Sequence, residues 1–207
     1  MGPKSAYMDG MIRSLLAVAF SLLTLPAAAA PLSLATLSAY LNSLIDIGAT
    51  FQQENADGTR STGHIYIHRP GLMRLDYDPP EKSAVIVAGS QVVIFDGKSN
   101  EPPEQYPLAR TPLNLILAPQ IDLGAAKMVV GQAEVKGLTH VVAQDPKHPD
   151  YGNIELIFAP NPVRLTGWVI TDDAGNQTVV KLSAFDTSQS YPPTLFSPQI
   201  EAAKRKR

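Results

Sequence analysis

The sequence contains no cysteine. That excludes disulfides and thiolate metal sites, and it leaves no lipobox cysteine through which the chain itself could be lipidated. Beyond the first thirty residues no apolar run approaches the roughly 20 residues that a bilayer-spanning helix needs. Basic charge is also scarce: 17 Lys and Arg stand against 19 Asp and Glu, a formal net charge of −2. A chain of this balance carries no footprint for nucleic acid. Catalytic signatures are missing as well, with no G-x-S-x-G elbow, no phosphate-binding glycine loop and no H-E-x-x-H helix.

The four histidines do not fill that gap. His64 and His68 share a strand parity with Tyr66, but same-face positions four apart stand roughly 13 Å apart, too far for one ion with ligand bonds near 2 Å. They read as surface histidines. His140 and His148 fall in or near a different strand and a proline-flanked loop, with no carboxylate at ligand spacing. Asp172 and Asp173 precede the Ala174-Gly175 turn and read as turn formers. The residues therefore point to no catalytic site, no metal and no cofactor.

What is present begins with an address label. Arg13 precedes the apolar run Leu15 to Leu25, and the small-residue stretch Ala27 to Ala30 follows it. That is the order of a secretory signal peptide, and the run is too short to anchor comfortably. A signal peptide is expected over 1–30, followed by one domain over 31–207 in the bacterial periplasm. Without residues 1–29 the balance is 15 basic to 18 acidic residues. The only charge run, Lys204 to Arg207, reads as part of a frayed tail over 199–207.

From Leu34 the spacing Leu34, Leu37, Leu41, Leu44 marks one apolar helix face, which Gly48 is expected to stop. Short alternating runs follow, as in antiparallel strands: 49–54, 63–69, 72–77, 84–88, 91–95, 127–130, 139–144, 153–159, 165–171 and 177–184. Turn residues separate them, among them Pro70-Gly71, Gly89-Ser90 and Ala174-Gly175. Sequential strands joined by short turns give an antiparallel meander. Between the two strand groups, Thr111-Pro112 offers an N-cap and a proline at the first helical position, opening a short helix over Leu113 to Leu117. The expected fold is mainly β, a curved antiparallel sheet of about ten strands with two apolar helical pieces over its concave face.

Phe51-Gln52-Gln53, the run Gly63 to Tyr77 with its Arg69-Pro70-Gly71, Pro79-Pro80, Val85 to Phe95 and Thr111-Pro112-Leu113-Asn114-Leu115-Ile116-Leu117 occur in an order that resembles the outer-membrane lipoprotein carrier family, the LolA type. The resemblance spans about Thr36 to Pro198. It implies an incomplete, strongly curved antiparallel β-barrel with a helical lid over an apolar cavity for acyl chains. It also implies partners: acylated lipoproteins as cargo, an inner-membrane ABC transporter of the lipoprotein-release type and an outer-membrane acceptor or receptor, with the carrier itself a monomer and not an enzyme. The alternative is a periplasmic lipid- or lipoprotein-binding sensor, or a lipid-transfer protein, of the same fold. Met73 departs from the phenylalanine usual in relatives, and Leu195-Phe196-Ser197-Pro198 only partly resembles their final strand.

Strand parity then proposes a lining. Ile65 and Ile67 share a face with Arg69, opposite His64, Tyr66 and His68, and Met73 and Leu75 share a face opposite Arg74 and Asp76. Both faces of 84–88 are apolar, so parity does not choose between Ile86 and the pair Val85 and Val87; the latter pair is assigned to the cavity. Such faces serve equally as an ordinary filled core, and the resemblance is what turns them into a lining. In the same way it assigns Leu37, Leu41, Leu44, Leu113, Ile116 and Leu117 to the lid. Arg69 sits at the inward edge of an apolar face, where a cation needs acceptors. The resemblance makes it the latch that holds the lid closed; by itself the residue also fits a role in stabilising the Pro70-Gly71 turn.

The apolar segment ends in small residues, so protein released by osmotic shock is expected to begin near Ala30 or Pro31 on N-terminal sequencing. Recovery of intact Arg13 to Leu25 in a membrane fraction would contradict the export reading.

Overall fold

A computed structural model describes residues 30–99, 101–125 and 127–206. The expected signal segment, residues 1–29, lies outside the described residues. The first element is helix α1 (Leu34–Ser43), opened by Ser33, whose side chain accepts the Thr36 N–H at 3.1 Å. Such a cap satisfies one of the helix's orphan donors. Leu37 and Leu41 are buried on its inner side. The helix ends without glycine: Leu44 is already extended, and strand β1 (Asp46–Glu54) takes Gly48 into its interior. The expectation that Gly48 stops the helix is thereby corrected.

Six strands follow one another from there: β1, β2 (Arg60–His68), β3 (Leu72–Tyr77), β4 (Ala84–Ala88), β5 (Gln91–Phe95) and β6 (Glu104–Pro107). A crossing segment contains helix α2 (Leu113–Leu117). The second group is β7 (Val129–Val135), β8 (Leu138–Gln144), β9 (Asn153–Pro160), β10 (Val163–Thr171) and β11 (Gln177–Asp186), and helix α3 (Pro198–Arg205) ends the fold. All eleven strands form one antiparallel sheet in the order β6-β5-β4-β3-β2-β1-β11-β10-β9-β8-β7. The sheet is not closed: β6 and β7 are its two free edges.

The strand missed in the sequence is β6, four exposed residues ending at Pro107. Proline cannot donate to a ladder, so it is compatible only with an edge, and the segment shows no apolar alternation. Strand β7 runs on to Val135 rather than ending at Val130, because the turn that closes it is Lys136-Gly137, with positive φ at both residues. Thr111 does not cap α2: its hydroxyl donates back to the Leu108 carbonyl at 2.9 Å, and Pro112 occupies the cap position.

Two apolar clusters lie on opposite faces of the sheet. The larger contains Ile65, Ile67, Met73, Leu75 and Val87, facing α1 and α2. The register makes this continuous: Ile65 stands opposite Leu75, Ile67 opposite Met73, Met73 opposite Val87 and Leu75 opposite Val85. The smaller cluster is Ala84, Ile86, Val93 and Phe95 on the outer face, with Ala202 of α3 against it. The double apolarity of 84–88 thus has a physical cause, one face serving the lid side and the other the C-terminal helix.

The expectation of a frayed tail over 199–207 is corrected by α3. Ser197 caps the helix by accepting the Ile200 N–H at 3.3 Å. Glu201 is buried, with Arg74 at 2.8 Å and Arg205 at 2.7 Å. Arg205 also donates to the carbonyls of Lys82 (2.9 Å) and Asp96 (3.3 Å) and lies 5.3 Å from the Phe95 ring centre. Within the charge run, Arg205 is thus used in docking, while Lys204 and Lys206 remain exposed. His64 is exposed, as expected, but His68 is half-buried and paired: its Nδ1 lies 2.7 Å from Asp46, and His140 Nδ1 lies 2.8 Å from Glu155, each carboxylate supplied by a neighbouring strand.

Burial by itself raises the Glu201 carboxyl, but hydrogen bonds and charge from Arg74 and Arg205 outweigh it and hold the pKa below the ordinary 4.5. A depressed folded-state pKa adds stability that is present above the unfolded value and lost as pH falls through the folded one. Urea-unfolding midpoints are therefore expected to drop below about pH 4.5 in the wild type, with a shallower drop in Glu201→Gln. Identical acid profiles for the two proteins would contradict this account.

Candidate functional site

The concave face of the sheet and the helices above it enclose a cavity of about 450 Å³. That falls within the 300–1,000 Å³ range of ligand sites. Its floor is built from Met73, Leu75 and Val85 on one side and from Trp168, Ile170 and Val180 on the other, and Leu113 with Pro112 forms its roof. Of the residues assigned to the lining from the sequence, Met73, Leu75 and Val85 border this space. Ile65, Ile67 and Val87 do not; they are buried in the same cluster, packed beneath the helices.

The second half of the floor is absent from the sequence reading for a definite reason. A β-bulge between Leu165 and Gly167 shifts the register of β10 against β9, so that Leu165 and Trp168 are both buried in the large cluster although their parities differ. Inserting one residue reverses the in-out order beyond it. Simple alternation across Leu165 to Thr171 therefore assigns half the strand to the wrong face. The single tryptophan, 1% exposed, is the one signal that could have marked the site.

The mouth is polar. Tyr77 donates to Gln53 Oε1 at 2.8 Å, and burial raises the Tyr77 pKa above its ordinary value. Across from it the Arg110 guanidinium lies 5.7 Å from the ring centre of Tyr151, which is stacked on His148 at 4.7 Å. Asp172 and Asp173 complete the rim. Nothing in the sequence marks these polar groups as sharing one rim, because they come from β1, β3 and three separate loops. Among the described residues there is no group of three or more metal-ligating side chains.

The lid is fastened at the opposite end of β2 and β3. Leu37, Leu41, Leu44, Ile116 and Leu117 are buried against the sheet, and Leu113 packs partly buried beside them. Beyond this apolar contact, a set of polar bonds gathers at Arg69, which follows the last residue of β2 and is 6% exposed. Its Nη1 donates to the carbonyl of Leu41 and, at 3.5 Å, to that of Leu44. Its Nη2 donates to the Ala118 carbonyl at 2.7 Å and to Asn42 Oδ1 at 3.4 Å. These acceptors sit at the C-terminal ends of α1 and α2, where helix carbonyls have no intrahelical partner and the helix dipole is negative. Burial lowers the Arg69 pKa, and among the described residues no carboxylate pairs with it.

Neighbouring bonds tie the same pieces together. The Arg69 backbone N–H donates to Ile45 at 2.8 Å and that of Gly71 to Leu117 at 3.0 Å. Gly71 reaches α2 from a φ of +75°, a conformation that glycine adopts without strain. Asn42 grips the Ile121 backbone through both side-chain atoms, at 2.7 and 2.9 Å. Ser38 receives the Leu123 N–H at 2.9 Å. Thus α1, α2 and the loop after it form one bonded roof, fastened to β2 and the turn after it through the Arg69 side chain and two backbone N–H groups, and to β10 through Tyr40, whose hydroxyl accepts the Leu165 N–H at 3.1 Å.

Residues 42–199 match the family described as outer membrane lipoprotein carrier protein LolA. The chain belongs to this family. An outer-membrane lipoprotein carrier protein from Chromohalobacter salexigens is 24% identical, over 79% of this chain and 81% of that protein. A LolA superfamily protein from Nitrosomonas europaea is similar in structure with a TM-score of 0.43 at 10% identity, covering 82% of this chain and 99% of its own. The MucA/MucB complex of Pseudomonas aeruginosa gives 0.42 at 16% identity, covering 81% and 60%. The LolA match takes in every strand from β1 to β11, and with them both halves of the cavity floor.

Val85 borders the cavity from β4, whereas His64 points outward from β2 and is exposed. An ionised carboxylate placed in the apolar space opposes an apolar ligand. Val85→Glu is expected to weaken binding of an apolar fluorescent probe by about tenfold or more, the equivalent of about 1.4 kcal/mol, with His64→Glu within about twofold of wild type. Fluorescence titration of both variants checks this, and equal losses would overturn the assignment of faces.

Proposed function

We propose that this protein is a periplasmic carrier that shields the acyl chains of lipoproteins and moves them from the inner to the outer membrane. The observation that carries the reading is the joining of a LolA-family sheet to an apolar cavity whose roof gathers on a buried arginine with neutral acceptors. A fatty chain costs about 0.8 kcal/mol for each CH₂ left in water, so a sixteen-carbon chain amounts to about 12 kcal/mol. A carrier must supply an apolar surface on that scale and still release the load. Contacts with Met73, Leu75, Trp168 and the lid leucines meet the first need, and a roof fastened by few polar bonds meets the second.

The cycle follows from those parts. Closed, Arg69 satisfies the helix-end carbonyls and the lid side chains fill the concave face with their own apolar surface. Loading at an inner-membrane ABC transporter replaces lid contacts by acyl contacts and separates Arg69 from its acceptors. Delivery to an outer-membrane acceptor is favoured because closure restores those bonds. The carrier works as a monomer, and the exchange is one of surfaces and hydrogen bonds, with no covalent step.

Arg69→Leu keeps an apolar stem and removes every donor. The lost charge-assisted bonds amount to about 1.5–3 kcal/mol, so the open-to-closed ratio is expected to rise roughly ten- to a hundredfold. Loaded with a labelled lipoprotein, the variant should retain its cargo and transfer little to outer-membrane vesicles. Wild-type transfer by a folded Arg69→Leu protein would remove the latch from the mechanism.

A further inference from the structure

The segment after β11 contributes nothing to the cavity, yet its contacts converge on the place where the lid meets the sheet. It turns back across the outer face of β1 to β5. The Tyr191 ring packs edge-on to Tyr66 at 5.1 Å. Gly48 leaves the room for this, since a Cβ there would lie 2.1 Å from Tyr191 Oη. The Tyr191 N–H donates to Asp46 Oδ1 at 3.4 Å, the same oxygen that lies 2.7 Å from His68 Nδ1. Phe196, 1% exposed, lies beside the His68 ring at 6.4 Å. Next, Arg74 donates to the Leu195 carbonyl at 3.2 Å, and its pairing with Glu201 seats α3.

Two of the residues that this segment reaches, Asp46 and His68, flank the fastening of the lid. Asp46 opens β1, and Ile45 immediately before it accepts the Arg69 backbone N–H at 2.8 Å. His68 is the chain neighbour of Arg69. Both ends of the latch, the donor and the hinge of the helix it holds, are therefore gripped from outside by one strap.

The geometry points to the C-terminal strap, residues 187–205, as a clamp on the lid: seated by Glu201 on Arg74, it holds the Ile45-Asp46 pivot through Tyr191 and so keeps Arg69 aligned with its acceptors. This rests on the latch reading above. Tyr191 and Glu201 act as positioning residues, since neither borders the cavity nor bonds to the lid. The strap also makes the outer face of the sheet a place from which lid opening is controlled, because whatever loosens α3 loosens the pivot.

The absence of native cysteine allows a spin-label pair at Ala39→Cys on α1 and Lys181→Cys on β11, both exposed positions. Electron-electron distance measurements then give open and closed populations in the full chain. Glu201→Gln and Tyr191→Ala are each expected to raise the open-to-closed ratio by about twofold to thirtyfold, the range for mutations along a coupled network. In an Arg69→Leu background the same substitutions should act at least several-fold less, because the latch they align is gone. Unchanged populations in the folded single variants would overturn the clamp, and equal increases in both backgrounds would show general loosening instead. Should Glu201→Gln fail to fold, Tyr191→Ala, remote from the buried ion pair, carries the test. Arg69→Leu alone reports on the latch: no opening there removes the latch and the alignment route with it, while the single strap variants report on the clamp directly.

Discussion

One guanidinium organises the functional half of this molecule. A short helix leaves its last carbonyls without partners, and here two such helix ends, those of α1 and α2, meet at the buried side chain of Arg69. Arg69 supplies donors to both at once. Because every acceptor is neutral, the bonds are made at the cost of burying a cation without a counter-charge, as the lowered pKa reflects. An ion pair at the same place would hold more tightly and would leave a carboxylate stranded on opening. In the proposed cycle, neutral acceptors are what make the fastening reversible.

The open sheet makes that reversibility useful. In a closed barrel every strand has two neighbours and the interior is sealed by its own ladder. Here β1 and β11 sit in the middle, and the strand order runs outward from them to the free edges β6 and β7. The chain between these edges is the segment carrying α2, so the connection that topology requires also serves as part of the roof. Its free edges are guarded differently. Strand β6 is four residues long and ends in proline, whereas β7 is tied to the start of the domain by Gln132, which donates to the Leu32 carbonyl at 2.6 Å.

Strands β4 and β5 show how one sequence pattern serves two interfaces. Their inward residues belong to the cavity side and their outward residues to the seat of α3. Arg74 belongs to the outer system and Arg69 to the inner one, and they differ in what neutralises them. The buried Arg74 pairs with Asp76 and Glu201, as suits a permanent joint, since breaking one partner of such a pair costs several kcal/mol. Arg69 has carbonyls, as suits the joint that parts in the proposed cycle.

Much of this was legible in the linear chain, and the reasons are local. The meander follows from period-two alternation cut by turn residues, and the inward faces of β2 and β3 follow from parity, because both strands are regular through their shared register. Parity fails where a bulge inserts a residue, as between Leu165 and Gly167, and it is silent where both faces are apolar, as in 84–88. The histidine pairs, the polar mouth and the fate of the basic tail were decided only by tertiary structure. In each case the partner lies on another strand or loop: Asp46 is 22 residues from His68, and Arg74 is 127 from Glu201. Periodicity records which side of an element meets apolar surroundings, since burial acts on each residue separately; which polar groups meet depends on the path of the chain in space, and that is set only when the sheet has coiled and the C-terminal segment has turned back across it.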